Sequence, residues 1–132
     1  MNKEDLVGTY IGRGRDHLAA DGTVTRAGPD YPAWLVYTRE GLVIVISTPP
    51  EELGEVIAYA GPYEIRDGKI IHHSQVAISP AWVGKSNERL PTLEGNRLTL
   101  HTEPDAQGGV SRIHWERVDK VPKVPKVLPS GA

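Results

Sequence analysis

The sequence predicts an all-β domain, a sandwich or a barrel, on three observations. Turn signals recur at short intervals: Ala20-Asp21-Gly22-Thr23, Arg39-Glu40-Gly41-Leu42, Arg66-Asp67-Gly68-Lys69, Glu94-Gly95-Asn96-Arg97 and Ala106-Gln107-Gly108-Gly109. The segments between them are rich in Val, Ile, Leu, Tyr and Thr, the composition of antiparallel hairpins. With 132 residues, 39% apolar and 24% charged, the chain can bury roughly two-thirds of its unfolded surface in one domain.

The expected strands are 7–18, 23–26, 33–38, 42–47, 57–66, 69–78, 87–93, 97–103 and 110–118. One segment, 47–56 (STPPEELGEV), reads as a short helical turn: Ser47 or Thr48 can cap it, prolines suit its first turn, acidic residues complement its dipole, and Gly54 limits it. The domain then spans 1–118. Beyond it, the Val-Pro-Lys repeat of 119–132 cannot donate regular ladder hydrogen bonds and reads as an extended tail.

Hairpin arithmetic assigns faces. A two-residue turn at Asp67-Gly68 sets Ile65 against Ile70, Tyr63 against His72, Gly61 against Ser74 and Tyr59 against Val76. That mostly apolar face points inward and brings a phenol beside an imidazole. His73, next along the strand, must point the other way, with Glu64, Ile71 and Gln75. A turn at Gly95-Asn96 sets Leu93 against Leu98, Pro91 against Leu100 and Arg89 against Thr102. If the leucines mark the core face, Arg89 shares it, and an inward arginine needs an anion or a buried carboxylate to offset its desolvation. The plainer alternative carries Arg89 out to solvent at the strand end. In the last strand, Ile113 and Trp115 read as core and His114 as exposed, paired with Glu116.

The segments LVGTY, GPDYPAWLVYTREG, AYAGPYEIRDGKIIHHSQVAISPAWVG, LEGNRLTLHTEP and IHWERV, in that order across residues 6–118, resemble the lipocalin-like domain family of bacteria and fungi. The resemblance implies an up-and-down antiparallel barrel of about eight strands, lipocalin- or calycin-like, around a small-molecule cavity. Two positions depart from the family pattern: Tyr10 stands where Trp is usual, and Ala81 interrupts a common Pro-Asn-Trp. The run GLVIVIS is more uniformly apolar than its counterpart, so strand 42–47 is expected to be covered on both faces, with a homodimer partner as one way to do so.

A barrel does not fix a function. As an enzyme, it would be a cofactor-free isomerase, cyclase or lyase. A desolvated His72 would serve as general base beside Tyr63, and Arg89 would help to stabilise oxyanion charge. Tyr37, Tyr59, Trp34, Trp82 and His73 are candidate substrate contacts, with Trp82 stacking on a planar guest. As a non-catalytic carrier, the barrel would use the same cavity for a part-polar ligand. Three tryptophans and five tyrosines with no phenylalanine give most rings a polar handle. For His72 and Tyr63 the simpler reading is a hydrogen-bonded structural role.

Other chemistries find less support. A net charge of −2 gives little attraction to nucleic acid. The absence of cysteine removes disulfides, thiolate nucleophiles and Cys-ligated zinc, and suits a reducing, cytoplasmic setting. No apolar run is long enough to span a membrane, and the N-terminus lacks a signal peptide's apolar stretch. Gly12-Arg13-Gly14-Arg15-Asp16 has too few glycines for a dinucleotide fingerprint, and no Gly-x-Ser-x-Gly or His-Glu-x-x-His motif occurs. A metal would need His101 or His114 to join one of the diverging pair His72 and His73. Neither metal nor cofactor is expected.

Overall fold

The protein, in a computed structural model that describes residues 1–26, 32–48 and 56–119, begins with one helical turn, α1 (Lys3–Leu6). Ten strands follow: β1 (Gly8–Leu18), β2 (Val24–Arg26), β3 (Ala33–Tyr37), β4 (Leu42–Ser47), β5 (Ile57–Arg66), β6 (Lys69–His73), β7 (Val76–Ala77), β8 (Ser86–Glu94), β9 (Arg97–His101) and β10 (Val110–Arg117), with a 3-10 turn at Pro80–Trp82. Eight of them close an antiparallel barrel in the order β1-β3-β4-β5-β6-β8-β9-β10, because β10 returns to pair with β1. β2 lengthens the β1 edge and β7 pairs with β5. Closure leaves no open edge among these eight strands.

The expected turns set the register. Asp67 (φ 54°) and Gly68 (φ 77°) occupy the left-handed region that a two-residue hairpin loop requires. They align Ile65 with Ile70 and Tyr63 with His72. The β8–β9 hairpin likewise aligns Leu93 with Leu98 and Pro91 with Leu100. Alternation does the rest. Ala33, Leu35 and Tyr37 from β3, Val43 and Val45 from β4, and Ile70, Leu98, Leu100 and Trp115 fill the interior.

Farther along β5, its pairing with β7 departs from the expected register. Tyr59 faces Ala77 and Ala60 faces Val76, one residue off a straight hairpin. β6 lies between β5 and β8: it pairs with β5 as far as His72 and with β8 from Ile70 to His73, where His73 faces Ser86. The chain then kinks at Ser74 and Gln75 before β7 rejoins. Gly61 permits the kink: a Cβ there would overlap the His73 carbonyl oxygen and crowd the Gln75 nitrogen at 2.9 Å. Val76, expected inside, is therefore 65% exposed.

Sequence patterning gave no sign of α1. Asn2 and Asp5 form a capping box, with Asp5 N donating to Asn2 Oδ1 at 3.0 Å and Asn2 N donating to Asp5 Oδ2 at 2.9 Å. The turn drops Leu6 into the barrel end, where it is fully buried. Tyr10 holds it by donating its hydroxyl proton to Leu6 O at 2.6 Å. Arg117 donates from Nη2 to the same hydroxyl at 2.6 Å and to the Asp5 carbonyl. A tyrosine here thus bonds two elements across the seam that closes the barrel.

Leu42 and Ile46 stand on the outer wall, 38% and 48% exposed, so within the chain strand β4 is covered on its inner face. The expected helical segment 47–56 lies largely outside the described residues, as does the tail from residue 120. No helix among the described residues is long and apolar enough to cross a membrane.

Candidate ligand-binding site

Inward alternation along β3, β5 and β6 carries Tyr37, Tyr59, Tyr63 and His72 into the interior, and their rings form a ladder. From the plugged end, Tyr10 meets Tyr37 edge-on at 6.1 Å, Tyr37 meets Tyr63 at 4.9 Å and His72 at 5.4 Å, and Tyr59 lies 5.9 Å from His72. Trp82, presented by the 3-10 turn, stacks on Tyr59 at 5.7 Å with 22° between the planes. Tyr10, Tyr37 and Tyr63 fill one end of the lumen. Tyr59, His72 and Trp82 line a cavity of about 140 Å³ whose wall also includes Leu35, Val45, Ile57, Asn87, Arg89, Leu100, Ile113 and Trp115. A space of that order holds about one six-membered ring.

His72 is 2% exposed, and each of its nitrogens meets a tyrosine: Nε2 lies 2.6 Å from the Tyr37 hydroxyl and Nδ1 2.7 Å from the Tyr59 hydroxyl. Burial, reinforced by the positive charge of Arg89 and by His73, pulls its pKa down to about 3, so the imidazole is neutral near pH 7 and carries one N–H and one lone pair. Tyr37 decides which nitrogen holds the proton. Its hydroxyl is buried, and among the described residues His72 is its only hydrogen-bond partner. Were it to accept from Nε2–H, its own proton would be buried without an acceptor, at a cost of about 1–3 kcal/mol. Tyr37 therefore donates to Nε2, and the proton sits on Nδ1. His72 in turn donates to Tyr59 Oη, which leaves the Tyr59 hydroxyl proton for an occupant of the cavity.

The network resists ionisation. Burial, with Tyr59, Tyr10 and Tyr63 nearby, raises Tyr37 well above the usual phenol range. Burial also pushes Tyr59 up to about 12, although Arg89 and the Asn87 amide work against it. The result is a rigid, neutral, oriented set of hydrogen bonds.

The remaining residues singled out in the sequence separate clearly. Tyr63 pairs with His72 in register, but its hydroxyl donates to the Thr38 carbonyl at 2.8 Å, and Tyr37 and Tyr59 take the imidazole. Arg89 lies opposite Ile70 and reaches the cavity wall. Trp34 is on the outer face of β3, opposite Ile46. His73 also faces outward, with Nδ1 2.8 Å from Ser86 Oγ and Nε2 3.0 Å from Glu64 Oε1. His114, expected to be exposed beside Glu116, instead lies 2.8 Å from Asp16 Oδ2 and 3.2 Å from Thr99 Oγ1. Arg112 grips the same Asp16 from two nitrogens at 2.6 and 3.1 Å. Burial would raise the Asp16 pKa, but Arg112 and His114 outweigh it and hold it low. Among the described residues no three His, Asp or Glu side chains converge as metal ligands.

Asn87 and Trp115 line the cavity although neither was among the expected contacts. Asn87 is two positions from Arg89 on β8, so strand alternation places both on the cavity face. Trp115 reads as core and is core, at 4% exposure, yet its indole N–H has no hydrogen-bond partner among the described residues.

Comparison with known proteins agrees with this architecture. Residues 50–118 match the family model described as a lipocalin-like domain. The crystal structure of a lipocalin-like protein from Bacteroides uniformis superposes with a TM-score of 0.51 at 16% identity, covering 86% of this chain and 99% of that one. At that identity the likeness concerns the fold alone. A comparison with curated proteins finds none that match.

Proposed function

Because this chain belongs to the lipocalin-like domain family, we propose that its barrel binds a small, part-polar organic molecule. In this reading the guest's carbonyl accepts a hydrogen bond from Tyr59, in the manner of a cofactor-free isomerase, cyclase or lyase. The observation that supports it is the oriented chain from Tyr37 through His72 to Tyr59 at the wall of the cavity. Such a chain needs no reorganisation when negative charge grows on a bound oxygen, which is the condition for electrostatic stabilisation of a transition state. Tyr59 is the residue that meets the guest, and Arg89 adds positive charge to the same wall. His72 acts through Tyr59 as a positioning residue, since neither of its nitrogens is free.

One observation favours a second reading, a carrier without chemistry. With both His72 nitrogens engaged and its pKa near 3, His72 is no ready general base, and the other imidazole on the wall, His114, has both its nitrogens held by Asp16 and Thr99. Deuterium exchange separates the two. Cyclohexanone is incubated in D2O with the protein, and incorporation beside the carbonyl is followed by NMR. Exchange above the buffer rate that disappears in Tyr59→Phe supports the enzyme. Saturable binding with exchange at the buffer rate supports the carrier. A ring-sized ketone that neither binds nor exchanges contradicts a neutral carbonyl guest in either reading. We also propose that the outer apolar residues Leu42 and Ile46 pair with a second copy of the chain. A monomer by analytical ultracentrifugation at high concentration would refute that pairing.

A further inference from the structure

The charged groups on the cavity wall are of one sign. Arg15 and Arg89 line it beside the neutral polar side chains Ser47, Tyr59, His72 and Asn87 and the His114 imidazole, and no Asp or Glu does. Among the described residues the Arg89 guanidinium has no carboxylate within ion-pair reach, and its one hydrogen bond is to the adjacent Glu88 carbonyl at 2.7 Å. A guanidinium turned toward a partly desolvated space without a counter-charge is a fork without its acceptor. Trp115 is on the same wall, and its indole N–H is buried without a hydrogen-bond partner among the described residues. Indole nitrogens can only donate. The apolar part of the wall, with Trp82 stacked on Tyr59 at its edge, suits a flat ring.

We propose that the guest is a small planar anion, a single ring bearing a carboxylate or an equivalent oxyanion, whose oxygens accept from Arg89 and from the Trp115 indole N–H. This rests on the reading that the cavity binds a ligand and adds to it the charge and size of that ligand. The volume of about 140 Å³ sets the limit of one ring, and arginine on a wall without a carboxylate sets the sign of the charge. Low polarity around the site strengthens the attraction, because the same charge pair interacts more strongly there than in water.

Benzoate and its neutral isostere benzamide test the charge directly on the wild-type protein. Affinities are measured by calorimetry, and the three indole N–H signals are followed by 1H–15N NMR, with Trp115→Phe assigning the one of interest. Benzoate is expected to bind at least about tenfold more tightly than benzamide, as a charge-assisted hydrogen bond predicts, and to shift the Trp115 signal. In Arg89→Gln, with folding verified by thermal melting, the preference is expected to fall to about twofold or less. Equal affinity for the two molecules, or a preference that survives in Arg89→Gln, would overturn the anion assignment while leaving a binding cavity in place. An unmoved Trp115 signal on benzoate binding would remove that residue from the site and overturn the assignment as stated. If neither probe binds, both the anion assignment and the binding reading fall.

Discussion

The Tyr37 hydroxyl lies 2.6 Å from His72 Nε2 where neither group meets water, and this contact fixes the proton on the far side of the ring. The tautomer is therefore a property of the fold. Nitrogen-15 shifts of His72 are expected to report the Nδ1–H form. In Tyr37→Phe the lone pair on Nε2 loses its donor, and stability should fall by about 1–3 kcal/mol in urea titrations. An Nε2–H tautomer in the wild type would reverse the direction of the whole network.

The depressed pKa of His72 makes stability depend on pH in a specific direction. Its value falls from 6.5 to about 3 on folding, so between those limits the unfolded chain binds a proton that the folded chain does not. The contribution is fully present above pH 6.5 and is lost as pH falls toward 3. Wild type should lose stability more steeply than His72→Gln across that window, by up to about 1.4 kcal/mol per pH unit. Carboxylates such as Asp16 titrate in both proteins and largely cancel in the difference. Parallel curves would show that His72 protonates equally well in both states.

Gly61 and Gly68 should respond unequally to alanine. At Gly61 the added methyl meets the backbone of His73 and Gln75, neither of which can yield without unmaking the kink, and a loss of about 3 kcal/mol or more is expected. At Gly68 nothing lies within 4 Å of the added Cβ. There only the strain of a positive φ remains, about 1 kcal/mol. Similar melting temperatures for the two variants would contradict this ranking.

The displaced register of β7 makes a prediction opposite to that of a straight hairpin. Val76, 65% exposed, should accept aspartate with a change of about 0.5 kcal/mol or less. In the register expected from the turn alone, the same substitution would bury a charge and cost several kcal/mol. Chemical denaturation of Val76→Asp distinguishes them.

Much of the barrel was legible because turn chemistry and alternation are local. Asp67-Gly68 and Gly95-Asn96 fix two hairpins, and counting outward from them places Ile70, His72, Leu98 and Leu100 inside. The count fails at Ser74, where β6 has ended and the chain kinks before β7 rejoins β5 one residue out of register, and no turn residue marks the change. It also misses α1, whose single turn is too short to show a helical period. The partners of His72 were beyond this reach for a related reason: Tyr37 lies 35 positions away, and register within one hairpin says nothing of which side chain arrives across the lumen.

The sequence by itself determined the strands, their hairpins and the inward turn of a histidine, since each depends on neighbours a few residues apart and on a period of two. Only the tertiary structure decided which tyrosines hold that histidine, where its proton sits, and that Arg89 and Trp115 share a wall without a carboxylate. Those facts depend on how eight strands curve into a cylinder, and curvature sums many small twists that no single segment encodes.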